Sequence, residues 1–388
     1  MPKPVLIEDR DVILKITGST ICGSDLHLLH GSVIELQKGD ILGHEFCGVV
    51  DSVGSAVHNV KPGDRVVASF QIACGECFYC KQKLSSQCER TNSNTIERGM
   101  YGGNTAGFFG YSHFTGGFAG GQSEYTRIPM GDVNLLKLPD NVPDEKGLYL
   151  SDVLSTSWNC VVDTGVKEGD VVAIWGAGPI GQMCIDFSFI NGASRVIVID
   201  SNWRLDMVKE KYPKAETLNF KSLPKGESVV STLKSMTDGH GPSVCLECVA
   251  GEYPKGWAHT FEIMAGMETD TSEILNEMIE SVQAFGRVGI TGVYVGYVSL
   301  SCAHVVSASA NVTSDQPLQH WLPHESRYSL HRQWPSSCAQ VLGRATQDDP
   351  GWQDRPTQDG VTQNPHGGHG QSLLQVRQEG GRYAEDLC

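Results

Sequence analysis

The chain has 388 residues, 40 % of them hydrophobic, which is enough for more than one packed core. Its 45 acidic against 30 basic side chains leave a formal charge of -15, which disfavours a nucleic-acid partner, because phosphates require a basic face. No apolar run reaches the ~18 residues of a membrane span, and the opening MPKPVLIEDRD lacks a signal-peptide core; the expectation is a cytoplasmic protein with no membrane partner.

From Met1 to about Ser157 the chain reads as short strands between glycine-rich turns. DVILKITGS, CGVVDSV and DRVVASF are predicted strands, with Lys61-Pro62-Gly63-Asp64 a turn before the last. The stretch from Met100 to Tyr125, rich in glycine and aromatics, reads as a loop followed by a strand. From about Trp158 to Tyr297 the pattern changes to alternating strands and helices. Val171–Trp175 and Arg195–Ile199 are apolar runs flanking the helical QMCIDFSFING, and VCLECV and GRVGITGVYVG follow. That alternation predicts an open parallel sheet of the α/β class. From Val298 to Cys388 there is no Lys, Ile, Phe or Met, and no helical or strand period persists; such a segment is expected to stay disordered.

Thirteen cysteines in a chain of this kind call for an explanation. Where thiols stay reduced, closely spaced cysteines bind metal more often than they form disulfides. Cys74, Cys77, Cys80 and Cys88 follow a C-x2-C-x2-C-x7-C spacing. Four thiolates can close a tetrahedral shell around one zinc ion and leave no open position, so the site is expected to be structural. Cys22-Gly23-Ser24-Asp25 and Gly43-His44-Glu45 form a weaker second constellation. A catalytic zinc takes about three protein ligands and keeps one position open; Cys22 and His44 could supply two.

Gly176-Ala177-Gly178-Pro179-Ile180-Gly181 is a G-x-G-x-x-G turn directly after the strand VVAIW, the context a dinucleotide fingerprint requires. Its first two glycines allow a tight turn and close approach to a pyrophosphate, and the third lets helix and strand pack. The next strand ends at Asp200, whose carboxylate can accept ribose hydroxyls and repel a 2'-phosphate, favouring NAD. Arg204 nearby could accommodate that phosphate, or could stack on adenine or face solvent.

Taken in order, CGSD, GHE, KPGDRV, the four-cysteine segment, GGQSEY and GAGPIG resemble the zinc-containing medium-chain dehydrogenase superfamily. CGSDLH, IACGECFYC and LSDVLSTSW are most similar to its glutathione-independent formaldehyde dehydrogenase branch. The resemblance spans residues 5–297 and implies a GroES-like, β-rich catalytic domain over 1–157 and a Rossmann domain with a doubly wound parallel sheet over 158–297. It also implies an active site in the cleft between them. It matches Cys22, His44 and Asp152 to the catalytic zinc ligands and Glu45 to the acid beside them. Ser24 matches the hydroxyl of a proton relay, and His27 the imidazole that passes the proton to solvent. Two zinc ions per chain and NAD are the implied cofactors, and an alcohol or hydrated aldehyde, formaldehyde among them, is the implied substrate. Asp152 could alternatively cap the helix that follows it, and His27 could be a surface histidine.

Other readings stay open: a polyol or secondary-alcohol dehydrogenase of the same superfamily, or an inactive, zinc-stabilised NAD-binding remnant. The remnant reading arises because the match stops at GVYVGY. Compatible codons across Tyr297-Val298-Ser299 contain an intron donor, and those at Ala310-Asn311 a branch-point-like sequence. A reading frame one nucleotide later from Asp315 can, through compatible codons, restore Lys, Ile, Phe and Met. The expectation is a retained intron and a frameshifted tail over 298–388, with His366 and His369 paired only by accident of frame. An initial strand of the family is also expected to be missing ahead of Met1. Family members are homo-oligomers; loss of the last sheet strands would expose an edge, remove the assembly surface and leave a poorly stable chain.

Overall fold

The computed structural model describes residues 2–31, 33–103, 105–201, 203–249, 273–292 and 311–312. The first apolar run forms strand β1 (Val12–Ser19), with Val12, Ile13 and Leu14 buried at its head. A short helix, α1 (Gly23–Leu29), follows, and β2 (Phe46–Val53) returns antiparallel to β1. The expected turn lies between β2 and β3 (Arg65–Ala68), closed by the Asp64 carboxylate accepting the Lys61 N–H at 3.0 Å. Next come β4 (Gln71–Ile72), α2 (Phe78–Lys81), α3 (Thr95–Tyr101) and β5 (Gly107–Phe108). The stretch read as one long loop thus carries a strand of its own, and β5 pairs with β4. β6 (Tyr125–Ile128), α4 (Gly131–Asn134) and β7 (Leu135–Lys137) complete an antiparallel sheet of order β6-β1-β2-β3-β7. Val12, Leu14, Phe46, Val50, Val66 and Phe109 form its core.

After α5 (Asp144–Gly147), the eleven-residue helix α6 (Val153–Asp163) leads to the second sheet. Its elements are β8 (Val171–Trp175), α7 (Pro179–Ile190), β9 (Arg195–Asp200), α8 (Trp203–Lys211), β10 (Glu216–Asn219), α9 (Val229–Met236), β11 (Val244–Glu247), α10 (Glu273–Ser281) and β12 (Arg287–Ile290). The sheet is parallel with order β10-β9-β8-β11-β12-β13, β13 being Asn311–Val312. Strands buried on both faces read as continuous apolar runs rather than alternating ones, as VVAIW does. One face packs on α6, α7 and α8, and the other on α9 and α10. The order reverses between β8 and β11, which is where ligands bind in sheets of this kind.

The fold is therefore a GroES-like antiparallel domain joined to a Rossmann-type parallel one, as expected. One expectation is corrected. The edge at β12 is covered over its first two residues, where Asn311 and Val312 pair with Arg287 and Val288. The remainder of the segment read as a disordered, frameshifted tail lies outside the described residues.

Helix α6 is tied at both ends. Trp158 meets Phe187 of α7 edge-on, with centroids 5.2 Å apart, and the Ser157 hydroxyl donates to the Ile180 carbonyl at 3.2 Å. At the other end Ser151 donates to the Ala68 carbonyl at 2.8 Å, fixing the head of α6 against β3.

Candidate metal centre and dinucleotide turn

Cys22 ends the turn after β1, where its N–H donates to the Asp25 carboxylate at 2.8 Å. His44 and Glu45 precede β2, and Asp152 precedes α6. The turn bearing His44 depends on Gly43, which has φ +92°; a Cβ there would stand 2.6 Å from Gln122 Cγ. The Gly120–Gln122 backbone lies against that turn, Gly121 N–H donating to the Gly43 carbonyl at 2.7 Å. One ligand atom from each of Cys22, His44, Glu45 and Asp152 lies within 4.8 Å of the other three. The expected residues are thus brought together from three places in the chain.

The imidazole has a definite orientation. Its Nε2 lies 3.5 Å from Asp152 Oδ2, 3.6 Å from Glu45 Oε1 and 3.4 Å from Ser24 Oγ. Its Nδ1 lies 3.8 Å from Asp25 Oδ1, so Asp25 backs the ring from the far side. Asp152 stands at the helix N-cap position, but its side chain makes no capping bond. Thr156 donates to its Oδ1, and Oδ2 turns to His44. Thr20 holds Glu45 in the same way. Burial works against a proton on His44, but Tyr111, Asp152 and Cys22 outweigh it and raise the imidazole well above its ordinary value. Burial, and then the Asp152 carboxylate, push Glu45 up. One thiol, one imidazole and two carboxylates are a donor set that suits zinc.

Ser24 is half-buried on α1, and His27 lies one turn further on, buried at 4 % exposure. The reading of His27 as a surface histidine is corrected, because the structure buries its ring. Sequence reasoning missed Tyr111, whose ring meets His44 with centroids 5.2 Å apart and whose hydroxyl bonds Ser24. Desolvation pushes its phenol up to about 12. Phe108 stacks on Tyr111 and Phe70 on Phe108, forming an aromatic wall beside the cluster.

The four-cysteine lobe is a separate centre. Cys74, Cys77 and Cys88 are buried and Cys80 is half-buried, and their sulfurs gather within the same 4.8 Å limit. Cys74 Sγ accepts the N–H groups of Glu76 at 3.4 Å and Cys77 at 3.3 Å, bonds that stabilise a thiolate. Cys74 and Cys80 Sγ are 3.8 Å apart, the spacing of a tetrahedral zinc–thiolate shell. Arg10 clamps the lobe through Glu76 and the Cys74 carbonyl.

The dinucleotide turn is built as its sequence demands. Gly176 has φ +100°, Gly178 is the N-cap of α7, and Pro179 is its first residue. A Cβ on Gly181 would fall 1.9 Å from the Gly176 carbonyl oxygen. Asp200, at the end of β9, accepts the Ala177 N–H at 2.7 Å and the Ser201 N–H at 2.6 Å. Arg204 Nη1 lies 3.9 Å from Asp200, and its guanidinium sits over Trp203. Ile180 meets α6 through Ser157.

Residues 8–140 match the alcohol dehydrogenase GroES-like domain family. Over 332 residues the chain is 37 % identical to the uncharacterized zinc-type alcohol dehydrogenase-like protein AdhB of Bacillus subtilis, covering 84 % of both chains. It is 32 % identical over 292 residues to the glutathione-independent formaldehyde dehydrogenase of Pseudomonas aeruginosa, covering 74 % of this chain and 68 % of that one. Among solved structures, the alcohol dehydrogenase TADH from Thermus sp. ATN1 superposes with a TM-score of 0.65 at 32 % identity, over 80 % of this chain and 79 % of that one. No helix among the described residues is long and apolar enough to cross a membrane.

Proposed function

The chain belongs to the zinc-type alcohol dehydrogenases of the medium-chain superfamily, and from that membership we propose that it oxidises an alcohol or hydrated aldehyde by hydride transfer to NAD where Cys22, His44, Glu45 and Asp152 converge. The convergence of those four donors, from segments far apart in sequence, is the observation that carries the reading. Cys22, His44 and Asp152 hold one zinc, and Cys74, Cys77, Cys80 and Cys88 hold a second, structural one. Bound at the first site, zinc supplies a Lewis acid that polarises a substrate oxygen and lowers its pKa. Glu45, whose carboxylate lies within 4.8 Å of the Cys22, His44 and Asp152 ligand atoms, would offer the ion a further oxygen donor.

Ser24, 3.4 Å from His44 Nε2, takes the substrate proton. Ser24 and His27 are three residues apart on α1 and share a face, so the proton passes along that face. Tyr111 orients the Ser24 hydroxyl. Gly176, Gly178, Pro179, Ile180 and Gly181 receive the pyrophosphate, and Asp200 the adenosine ribose. The Asp200 carboxylate at the end of β9 repels a 2'-phosphate, which supports NAD over NADP. The catalytic unit spans 1–157 and the nucleotide unit 158–297, and the aromatic wall of Phe70, Phe108 and Tyr111 favours a small substrate, formaldehyde being the first to try. The protein works in the cytoplasm without nucleic-acid or membrane partners.

The test is a panel of formaldehyde, primary alcohols, secondary alcohols and polyols with the purified zinc-loaded chain, each with NAD and with NADP. Reduced nicotinamide is expected with NAD and a primary alcohol or formaldehyde. Turnover of polyols alone would replace the substrate assignment, preference for NADP would replace the cofactor, and silence across the panel would leave the chain a metal-stabilised remnant.

A further inference from the structure

A third group of thiols lies apart from both centres. Cys160 on α6, Cys184 on α7 and Cys248 just after β11 bring their sulfurs within 4.8 Å of one another. Cys160 and Cys184 are buried, and Cys248 is half-buried. We propose that these three thiols form a metal site for a thiophilic d10 cation, entered at Cys248 and closed around the ion by Cys160 and Cys184.

The geometry supplies its own calibration. Cys184 and Cys248 Sγ are 3.8 Å apart, and so are Cys74 and Cys80 in the four-cysteine lobe. With metal–sulfur bonds of ~2.3 Å, a planar three-thiolate shell needs sulfurs ~4.0 Å apart. One side of the trio, Cys184 to Cys248, is already near that spacing, and Cys160 Sγ lies within 4.8 Å of both. Three segments distant in sequence hold it there, and among the described residues no His, Asp or Glu joins the group to suit a harder ion. The acidic side chains that act electrostatically on Cys160 are Glu247 and Asp163, and their field favours a cation. The Ser157 carbonyl, 3.7 Å from Cys184 Sγ, adds a further negative end.

The position gives the site a consequence. A Cβ on Gly176 would meet the Cys248 carbonyl at 2.8 Å, and one on Gly181 would stand 3.7 Å from Cys248 Cβ. An ion on the trio therefore fastens the floor beneath the glycine-rich turn to α6 and α7.

Cadmium is the probe. The full-length, zinc-loaded chain is exposed to Cd2+ and desalted, and total metal ions per chain are counted by native mass spectrometry. Exchange of cadmium for zinc at the other centres leaves the total unchanged, so the difference between parent and variant is independent of whether those centres are catalytic. Cys184→Ala, Cys160→Ala and the conservative Cys248→Val should each hold one ion fewer than the parent. Cys47→Ala, which removes a buried thiol outside the group, should match the parent. A parent count equal to that of Cys248→Val, with both proteins folded by circular dichroism, would overturn the proposal. So would an extra ion that survives all three substitutions.

Discussion

Adding a single methyl at Gly181 should damage the dinucleotide turn in a way that the same methyl at Gly178 should not. The Cβ of Gly181→Ala would lie 1.9 Å from the Gly176 carbonyl oxygen and 2.9 Å from its carbonyl carbon. An ordinary carbon–oxygen contact is ~3.3 Å, so the turn must open by ~1.4 Å. Gly176 cannot retreat freely, because the Cys248 carbonyl already stands 2.8 Å from where its own Cβ would be. Overpacking of this kind costs about 1–3 kcal/mol, against the ~1 kcal/mol that alanine gains over glycine in a helix. A displacement of about 1 Å also costs roughly 100-fold in a positioned interaction, equivalent to about 2.7 kcal/mol. At Gly178 the φ is -73°, and an added Cβ meets nothing within 4 Å. Gly178→Ala should therefore melt like the parent and lose only the close approach of the pyrophosphate. Reduced-nicotinamide fluorescence titrations and thermal melts on both variants separate the two cases. Parent-like affinity and melting in Gly181→Ala would refute the argument that this glycine exists for close packing.

Three further outcomes are expected. Asp152→Ala should lose one zinc equivalent by elemental analysis and reduce kcat/KM beyond the ~100-fold that losing an outlying partner of a metal ligand costs; Asp152→Cys, restoring an anionic ligand, should recover the metal. Arg287→Met strips the buried Asp170 of its partner, whose Nη2 lies 2.6 and 2.7 Å from the two carboxylate oxygens; denaturant unfolding should show a loss of about 3–5 kcal/mol, most of it regained when Asp170→Asn is added. In the metal-free chain, burial and Asp152 raise Glu45, so the folded protein keeps a proton that the unfolded chain releases. That contribution is complete below the unfolded carboxylate's pKa and disappears as pH rises through the raised one. The melting advantage of Glu45→Gln over the parent should thus grow with pH, and a constant difference would contradict the assigned cause.

What could be read from the sequence depended on how locally each feature is encoded. The four-cysteine lobe and the glycine-rich turn are contiguous, and their spacing alone determines which atoms meet. Asp152 needed more. Its neighbours allowed a helix cap, and only its side-chain direction, away from the N-terminal amides of α6 and toward His44, distinguishes the two roles. Tyr111 lay in a stretch whose glycines and aromatics carry no period, so nothing marked it as facing His44. Cys160, Cys184 and Cys248 sit on three elements that only the parallel sheet brings together. The burial of His27 was invisible because one histidine in a short amphipathic helix gives no sign of which face packs. The pairing of β13 with β12 was missed because two residues are too few for a pattern.

Helix α6 makes two tasks inseparable. Asp152 stands at its head, and Trp158 and Ser157 tie its flank to the helix that follows the glycine-rich turn. At ~1.5 Å per residue, its 11 residues form a strut about 16 Å long. Tilting such a lever moves the donor cluster and the nucleotide cradle together, keeping their separation but altering both alignments. Variation in α6 is therefore pleiotropic, and a lineage adapting to a new substrate would find its free parameters in the loops, such as the one bearing Tyr111, rather than in the strut.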